Sequence, residues 1–215
     1  MAAVRTPTRF CVADDHMVIH DGLRAMAERA EELVFAGGAT DAASLLSLLS
    51  EAEPDLLILD LRFGSDDGFA VCRTVREAYP ELVIMFFSAF GDVDLLREGL
   101  EAGGSGYVLK DASTAAIPAA IRQVMETGTY VDARLASEAV LSTYSADSGM
   151  ARRVTERERV ILKMLAHGKV NREIAAELSL SPHTIKFYVS RMMRDFDVHR
   201  RAELVRVAID RQLIR

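Results

Sequence analysis

Cysteine is scarce in this sequence: Cys11 and Cys72 are its two thiols. Two cysteines cannot build a disulfide framework. Neither has a metal-ligand neighbour at a recognised spacing, so a reduced compartment is expected. No apolar run reaches the ~18 residues that mark a membrane span, which argues against one. The opening MAAVRTPTRF lacks the apolar core of a secretory signal, and a cytoplasmic location is the expectation. Glycine (13) and proline (5) are too few for a fibrous or disordered chain.

What is present is globular: 50% of residues are hydrophobic and 27% charged. A length of 215 residues fits two domains. The net charge of −6 would exclude a nucleic-acid partner, but it is unevenly spread. Residues 1–150 carry −13 and residues 151–215 carry +7. An acidic front and a basic back are physically different objects, and the basic part points to a polyanion.

In the front, short apolar runs alternate with amphipathic segments. Arg9–Ala13, Glu32–Ala36, Leu56–Leu59, Leu82–Phe87 and Gly106–Leu109 read as strands. His20–Arg29, Asp41–Glu51, Gly68–Ala78, Val93–Glu101 and Ser113–Thr127 read as helices. The second helix places Leu45, Leu46, Leu48 and Leu49 on its buried side. Pro118 falls just past the first turn of the last helix if Ser113 caps it, and threatens a kink. Apolar strands bounded by helices imply a parallel sheet covered on both faces. The expected fold class is α/β: a doubly wound, five-stranded parallel sheet of order 2-1-3-4-5. The pattern then weakens: Ser142–Gly149 reads as linker, with Val131–Leu141 as a short helix attached to it.

Three acids stand out by position. Asp14 and Asp15 follow the first strand and Asp60 ends the third. These strands are neighbours in that order, so the carboxylates converge at the carboxyl edge, where such folds bind ligands. Converging carboxylates repel and call for a hard cation, for which Mg²⁺ is the natural choice. Ser88 follows the fourth strand and Lys110 the fifth. A hydroxyl and an ammonium at the same edge can hold phosphoryl oxygens. The set points to an aspartate that accepts a phosphoryl group. His16 and His20 have no ligand partners in view and read as helix-surface residues.

ADDH at 13–16, LILDLRFGSDDG at 57–68, FFSA at 86–89 and GYVLKDAS at 106–113 resemble a bacterial response-regulator receiver, with its flavodoxin-like fold, over roughly residues 8–128. With the back of the chain, the whole resembles the NarL/FixJ subfamily. By that resemblance Asp60 is the phosphoacceptor, and Asp14, Asp15 and the Arg62 backbone carbonyl help Asp60 hold Mg²⁺. Ser88 and Lys110 contact the phosphoryl group, and Tyr107 is the aromatic switch partner. Phe63-Gly64 replaces the family's usual Met-Pro, which implies a looser loop. Arg62 and Phe90 flank the site as bulk that slows water attack.

The back is helical. TERE at 155–158 is a capping box, Gly168 a stop, Asn171 a cap, and Ser181-Pro182 a cap with proline at the first helical position. Helices then run to about Phe196 and over Ala202–Gln212. Short helices so joined make a helix-turn-helix. Residues 150–215 resemble the LuxR-type DNA-binding module. Ile185, Val189 and either Met192 or Met193 face inward, leaving His183, Lys186, Phe187 and Ser190 for a major groove. Lys186, Phe187 and Ser190 are the base-reading positions by family pattern. Thr184, Tyr188, Arg191, Arg194 and Arg200 suit phosphate contact.

The expected domains are a receiver (1–128), a linker (129–150) and an all-α DNA-binding domain (151–215). The function expected is transcription regulation. A sensor histidine kinase phosphorylates Asp60, and the phosphorylated chain forms a homodimer on double-stranded promoter DNA. No enzymatic turnover is expected beyond slow self-dephosphorylation. Two alternatives stay open. One is a regulator independent of phosphorylation. The other is a phosphohydrolase, against which Arg62 occupies the place of the usual second acid.

Overall fold

The computed structural model describes residues 6–63, 66–89, 91, 93–111, 116–147, 154–178, 180 and 182–214. Of 141–147, Glu156, His183 and Phe187, only the backbone is described. The chain divides into two compact units, Met1–Tyr144 and Ser145–Arg215. Among the described residues, no helix is long and apolar enough to cross a membrane.

The first unit runs β1 (Thr8–Ala13), α1 (Met17–Ala27), β2 (Leu33–Ala39), α2 (Ala42–Ala52), β3 (Leu56–Leu59), β4 (Arg62–Phe63) and β5 (Asp66–Asp67). It continues with α3 (Gly68–Ala78), β6 (Val83–Ser88), α4 (Val93–Glu101), β7 (Gly106–Leu109), α5 (Ala116–Thr127), β8 (Tyr130–Val131) and α6 (Ala133–Asp147). The main sheet has the order β2-β1-β3-β6-β7-β8, every neighbour parallel. The expected order therefore stands over its five strands, and a sixth is added at the edge. Two residues are too short to show alternation in sequence, and β8 is held by bonds to loops as much as to β7: Tyr130 N–H donates to Ser105 (3.1 Å) and Asp132 N–H to Tyr107 (3.0 Å).

Strand residues of both parities are buried, which is why the runs look uniformly apolar. Phe10, Val12, Leu56, Ile58, Met85, Phe87 and Val108 form one face, packed with Leu23, Met26, Ile117, Ile121 and Val124 of α1 and α5. On the other face Phe69 of α3 meets Phe86 edge-on at 5.4 Å. The α2 expectation was too generous: Leu45 and Leu49 are buried, but Leu46 is 40% exposed. Pro118 makes no conflict, because α5 begins at Ala116 and the proline lies in its first turn, where amides have no intrahelical acceptor. Ser113 lies outside the described residues. Burial pushes both thiols, Cys11 and Cys72, up to about 11, so neither is a thiolate near neutral pH. The helix expected over Val131–Leu141 is present within α6, but it runs on to Asp147 through most of the stretch read as linker, and β8 and most of α6 belong to the first unit.

Glu98 of α4 is buried. Burial pushes its carboxyl up to about 7, with Asp67 and Glu101 adding and Arg73 opposing. A raised carboxyl contributes stability that is complete below its unfolded value, near pH 4.5, and lost as pH rises through about 7. Glu98→Gln is thus expected to match the wild type at pH 4.5 and exceed it by on the order of 2 kcal/mol at pH 8. Urea unfolding at the two pH values checks this.

The second unit consists of α7 (Glu156–Ala166), α8 (Asn171–Leu178), α9 (Pro182–Asp195) and α10 (Arg201–Asp210). Thr155 and Glu158 form the expected capping box, and Gly168 takes φ +81° after α7. Ile161, Leu162, Leu165, Ile174, Ile185, Met192 and Leu204 fill its core. Asn171 does not cap α8. Its side chain accepts from Arg201 Nη1 (2.8 Å), while Glu173 takes the Val170 N–H (2.8 Å). Pro182 opens α9 as expected, and Ser181 lies outside the described residues.

Candidate functional site

The sheet register assembles the site. Ala13 pairs with Leu59, so Asp14 and Asp60 leave the carboxyl edge side by side, with Asp60 N–H bonded to Ala13 (2.8 Å). Ser88 pairs with Leu109, and Lys110 N–H donates to the Ser88 carbonyl (2.7 Å). Asp14, Asp60 and Ser88 are all buried. Lys110 Nζ lies 2.6 Å from Asp14 Oδ2 and 2.8 Å from Asp60 Oδ2. Gly68 permits the close approach of α3: a Cβ there would stand 2.4 Å from the Asp60 carbonyl oxygen.

The electrostatics follow from crowding. Burial pushes the Asp60 carboxyl up and the Asp14 charge adds, against the attraction of Lys110 and the Arg62 backbone N–H. Burial works against the Lys110 ammonium, but the charges and hydrogen bonds of Asp60 and Asp14 overcome it and hold its pKa above the ordinary value. One ammonium thus faces more carboxylate than it neutralises. Asp14, Asp15, His16 and Asp60 each bring a donor atom within 4.8 Å of the others, and three of the four are hard oxygens. That donor set fits a divalent cation.

The structure brings Asp14, Asp15, Asp60 and Lys110 together, with Ser88 buried at the same edge. Arg62 sits in β4 with an exposed side chain. Tyr107 is buried in β7, its ring 6.1 Å from Phe86. The loop after Asp60 is not loose as far as it is described. Arg62 pairs with Asp67 and Phe63 with Asp66, and Phe63 is fully buried. Gly64 and Phe90 lie outside the described residues. His16 is exposed as expected but does have carboxylate neighbours, and His20 departs from the surface reading altogether. His16 Nδ1 stands 2.7 Å from Asp15 and 3.1 Å from Asp14, and His20 is buried against the backbone of Asp14. In sequence, the only hint was their placement one and five residues after Asp15.

On α9, Lys186, Ser190 and Arg194 are exposed, as is Arg200 beyond it. The side chains of His183 and Phe187 lie outside those described. Thr184, Tyr188 and Arg191, expected at phosphates, are turned inward and buried. The helix packs on α7, α8 and α10, so its covered arc is wider than a two-faced reading allows. Arg191 spends its charge internally, 3.1 Å from Glu158 and 3.6 Å from Asp195.

Residues 10–122 match the family described as response regulator receiver domain, and residues 153–208 match bacterial regulatory proteins of the luxR family. The chain is 28% identical to the oxygen regulatory protein NreC of Staphylococcus epidermidis, over 96% of this chain and 99% of that protein. It is 30% identical to the transcriptional activator protein ExaE of Pseudomonas putida, over 95% and 97%. The solved structure of RcsB from Salmonella enterica serovar Typhimurium bound to promoter rprA shares the fold, with a TM-score of 0.61 at 23% identity over 94% of this chain and 98% of that one. An edge of clustered carboxylates bridged by a lysine, followed by a helix-turn-helix, thus stands in a known company: this chain belongs to the response-regulator family, with a receiver in front and a LuxR-family module behind.

Proposed function

We propose that the chain regulates transcription, binding double-stranded promoter DNA through its second unit under control of phosphorylation at Asp60 in its first. The observation that carries this is Lys110 bridging Asp14 and Asp60 at the sheet edge. A sensor histidine kinase supplies the phosphoryl group. An Asp60 oxygen attacks phosphorus, the O–P bond forms, and the P–N bond of phosphohistidine breaks. Asp14, Asp15, Asp60 and the Arg62 carbonyl would hold Mg²⁺, which when bound would supply positive charge against the incoming phosphoryl oxygens. Lys110 offsets the anion, and Ser88 meets a phosphoryl oxygen. The added charge of about −1.5 to −2 draws Ser88 inward and lets Tyr107 re-orient. Arg62 stands where a hydrolase would place a second acid, so the acyl phosphate is a signal, not a turnover intermediate. Phosphorylation favours a homodimer, which reads paired half-sites.

Incubation with acetyl phosphate and Mg²⁺, resolved by phosphate-affinity electrophoresis, tests the reading. A retarded band is expected, and so is tighter capture of selected DNA fragments. An unmodified chain, or unchanged capture, overturns it. On the DNA side, Lys186→Ala is expected to weaken binding to the selected site about tenfold or more and to reduce discrimination. Arg194→Ala should weaken all duplexes alike and lower the salt slope by about one. Mobility shifts over a salt series separate the two.

A further inference from the structure

His20 has no part in the chemistry described above, yet it is 2% exposed on the inner side of α1. Its Nε2 lies 2.6 Å from the backbone oxygen of Asp14. A carbonyl oxygen can only accept, so Nε2 carries the proton and donates. The rest of Asp14 is held as well. Its N–H donates to Ala39 (3.1 Å), and its carboxylate takes the Lys110 ammonium (2.6 Å) and the His16 amide (2.9 Å). The other side of the imidazole rests on Gly38 of β2, where a Cβ would stand 1.9 Å from Nδ1.

An aliphatic side chain would fill this space without the cost of burying a polar ring. A glycine inside a strand likewise weakens it, and often marks a close approach. Both departures from ordinary packing converge on one hydrogen bond to Asp14. We propose that His20 is a positioning residue of the phosphoryl-transfer site: by holding the Asp14 carbonyl, it fixes the turn that presents the Asp14 and Asp15 carboxylates to the divalent cation. Gly38 is the vacancy that lets it do so. The proposal rests on the reading of this edge as a cation and phosphoryl site.

Titration calorimetry of the full chain with MgCl₂ tests it, beside a thermal melt of each variant. His20→Ala is expected to weaken Mg²⁺ about tenfold, as loss of a ligand's outer support does. His20→Gln keeps an N–H donor and should recover most of that loss. Gly38→Ala keeps the histidine but pushes it off, so it should weaken Mg²⁺ similarly and add nothing in the His20→Ala background. A folded His20→Ala whose Mg²⁺ affinity stays within twofold of wild type, with only its melting point lowered, overturns the proposal and assigns His20 to packing. A folded His20→Gln as weak as His20→Ala overturns it too. Should His20→Ala not fold, Gly38→Ala and His20→Gln decide the matter by the same criteria. Failure of the wild-type chain to bind Mg²⁺ removes the reading underneath, and is distinguishable from either result.

Discussion

Asp60→Asn is expected to abolish phosphoryl incorporation: no retarded band forms with acetyl phosphate and Mg²⁺, and DNA capture stops responding to either. A carboxamide oxygen lacks the charge that makes the carboxylate a nucleophile, and it cannot form the acyl phosphate. The fold survives the change, because burial and the Asp14 charge already disfavour an ionised Asp60. The raised carboxyl also fixes the sign of the pH effect. Its contribution to stability is present at low pH and lost as pH rises through its folded value, so the neutral asparagine is expected to melt at or above the wild type at pH 8. A retarded band persisting in this variant would place the acceptor elsewhere.

Glu158→Ala is expected to unfold the DNA-binding unit selectively. Glu158 is 0% exposed, and its carboxylate has two duties. Oε2 accepts the Thr155 N–H (2.8 Å), and Oε1 accepts from Arg191 (3.1 Å), tying the start of α7 to the middle of α9. Truncation removes the side-chain half of the capping box, while the N–H at position 158 still donates to Thr155 Oγ1 (3.2 Å), and leaves the Arg191 guanidinium buried without this counter-charge. Breaking one side of a buried pair costs roughly 3–5 kcal/mol, a large part of the ~5–15 kcal/mol that stabilises a typical domain. Calorimetry should show one transition moved down by about 15 °C or more while the other stays. DNA binding is lost, and acetyl phosphate still modifies Asp60. Thr155→Ala, which removes the other half of the box and leaves the Arg191 pair intact, should cost about 1 kcal/mol. A loss of similar size in both variants would show that the Arg191 pair contributes little.

Much of this was legible in the chain. Leu56–Leu59, Gly68–Ala78, Val93–Glu101 and Gly106–Leu109 begin and end where the sequence places them, because a buried strand or an amphipathic helix declares itself by its own period. The convergence of Asp14, Asp60 and Lys110 was legible too, since it needs only strand order and the ends of strands. What stayed hidden depends on partners distant in sequence. Glu158 reads as a capping residue from Thr155, but its second duty lies 33 residues away at Arg191. Tyr188 and Arg191 read as phosphate contacts until three other helices close around α9. His20 looks like any helix histidine, and its meaning rests on Gly38, which reads as a loop residue because the second strand was expected to stop at Ala36.

The two-residue strand β8 bears on what kind of motion the sheet allows. With five strands, Tyr107 would sit on an outer strand, free to fray or slide. Instead, its main chain is stitched on one flank to Phe86 of β6 and on the other to Asp132, whose N–H it accepts at 3.0 Å. Slippage would break both seams at once. Whatever reaches this residue meets a backbone fixed on both flanks, so the side chain is the part left to respond, like a lever mounted on a fixed rail.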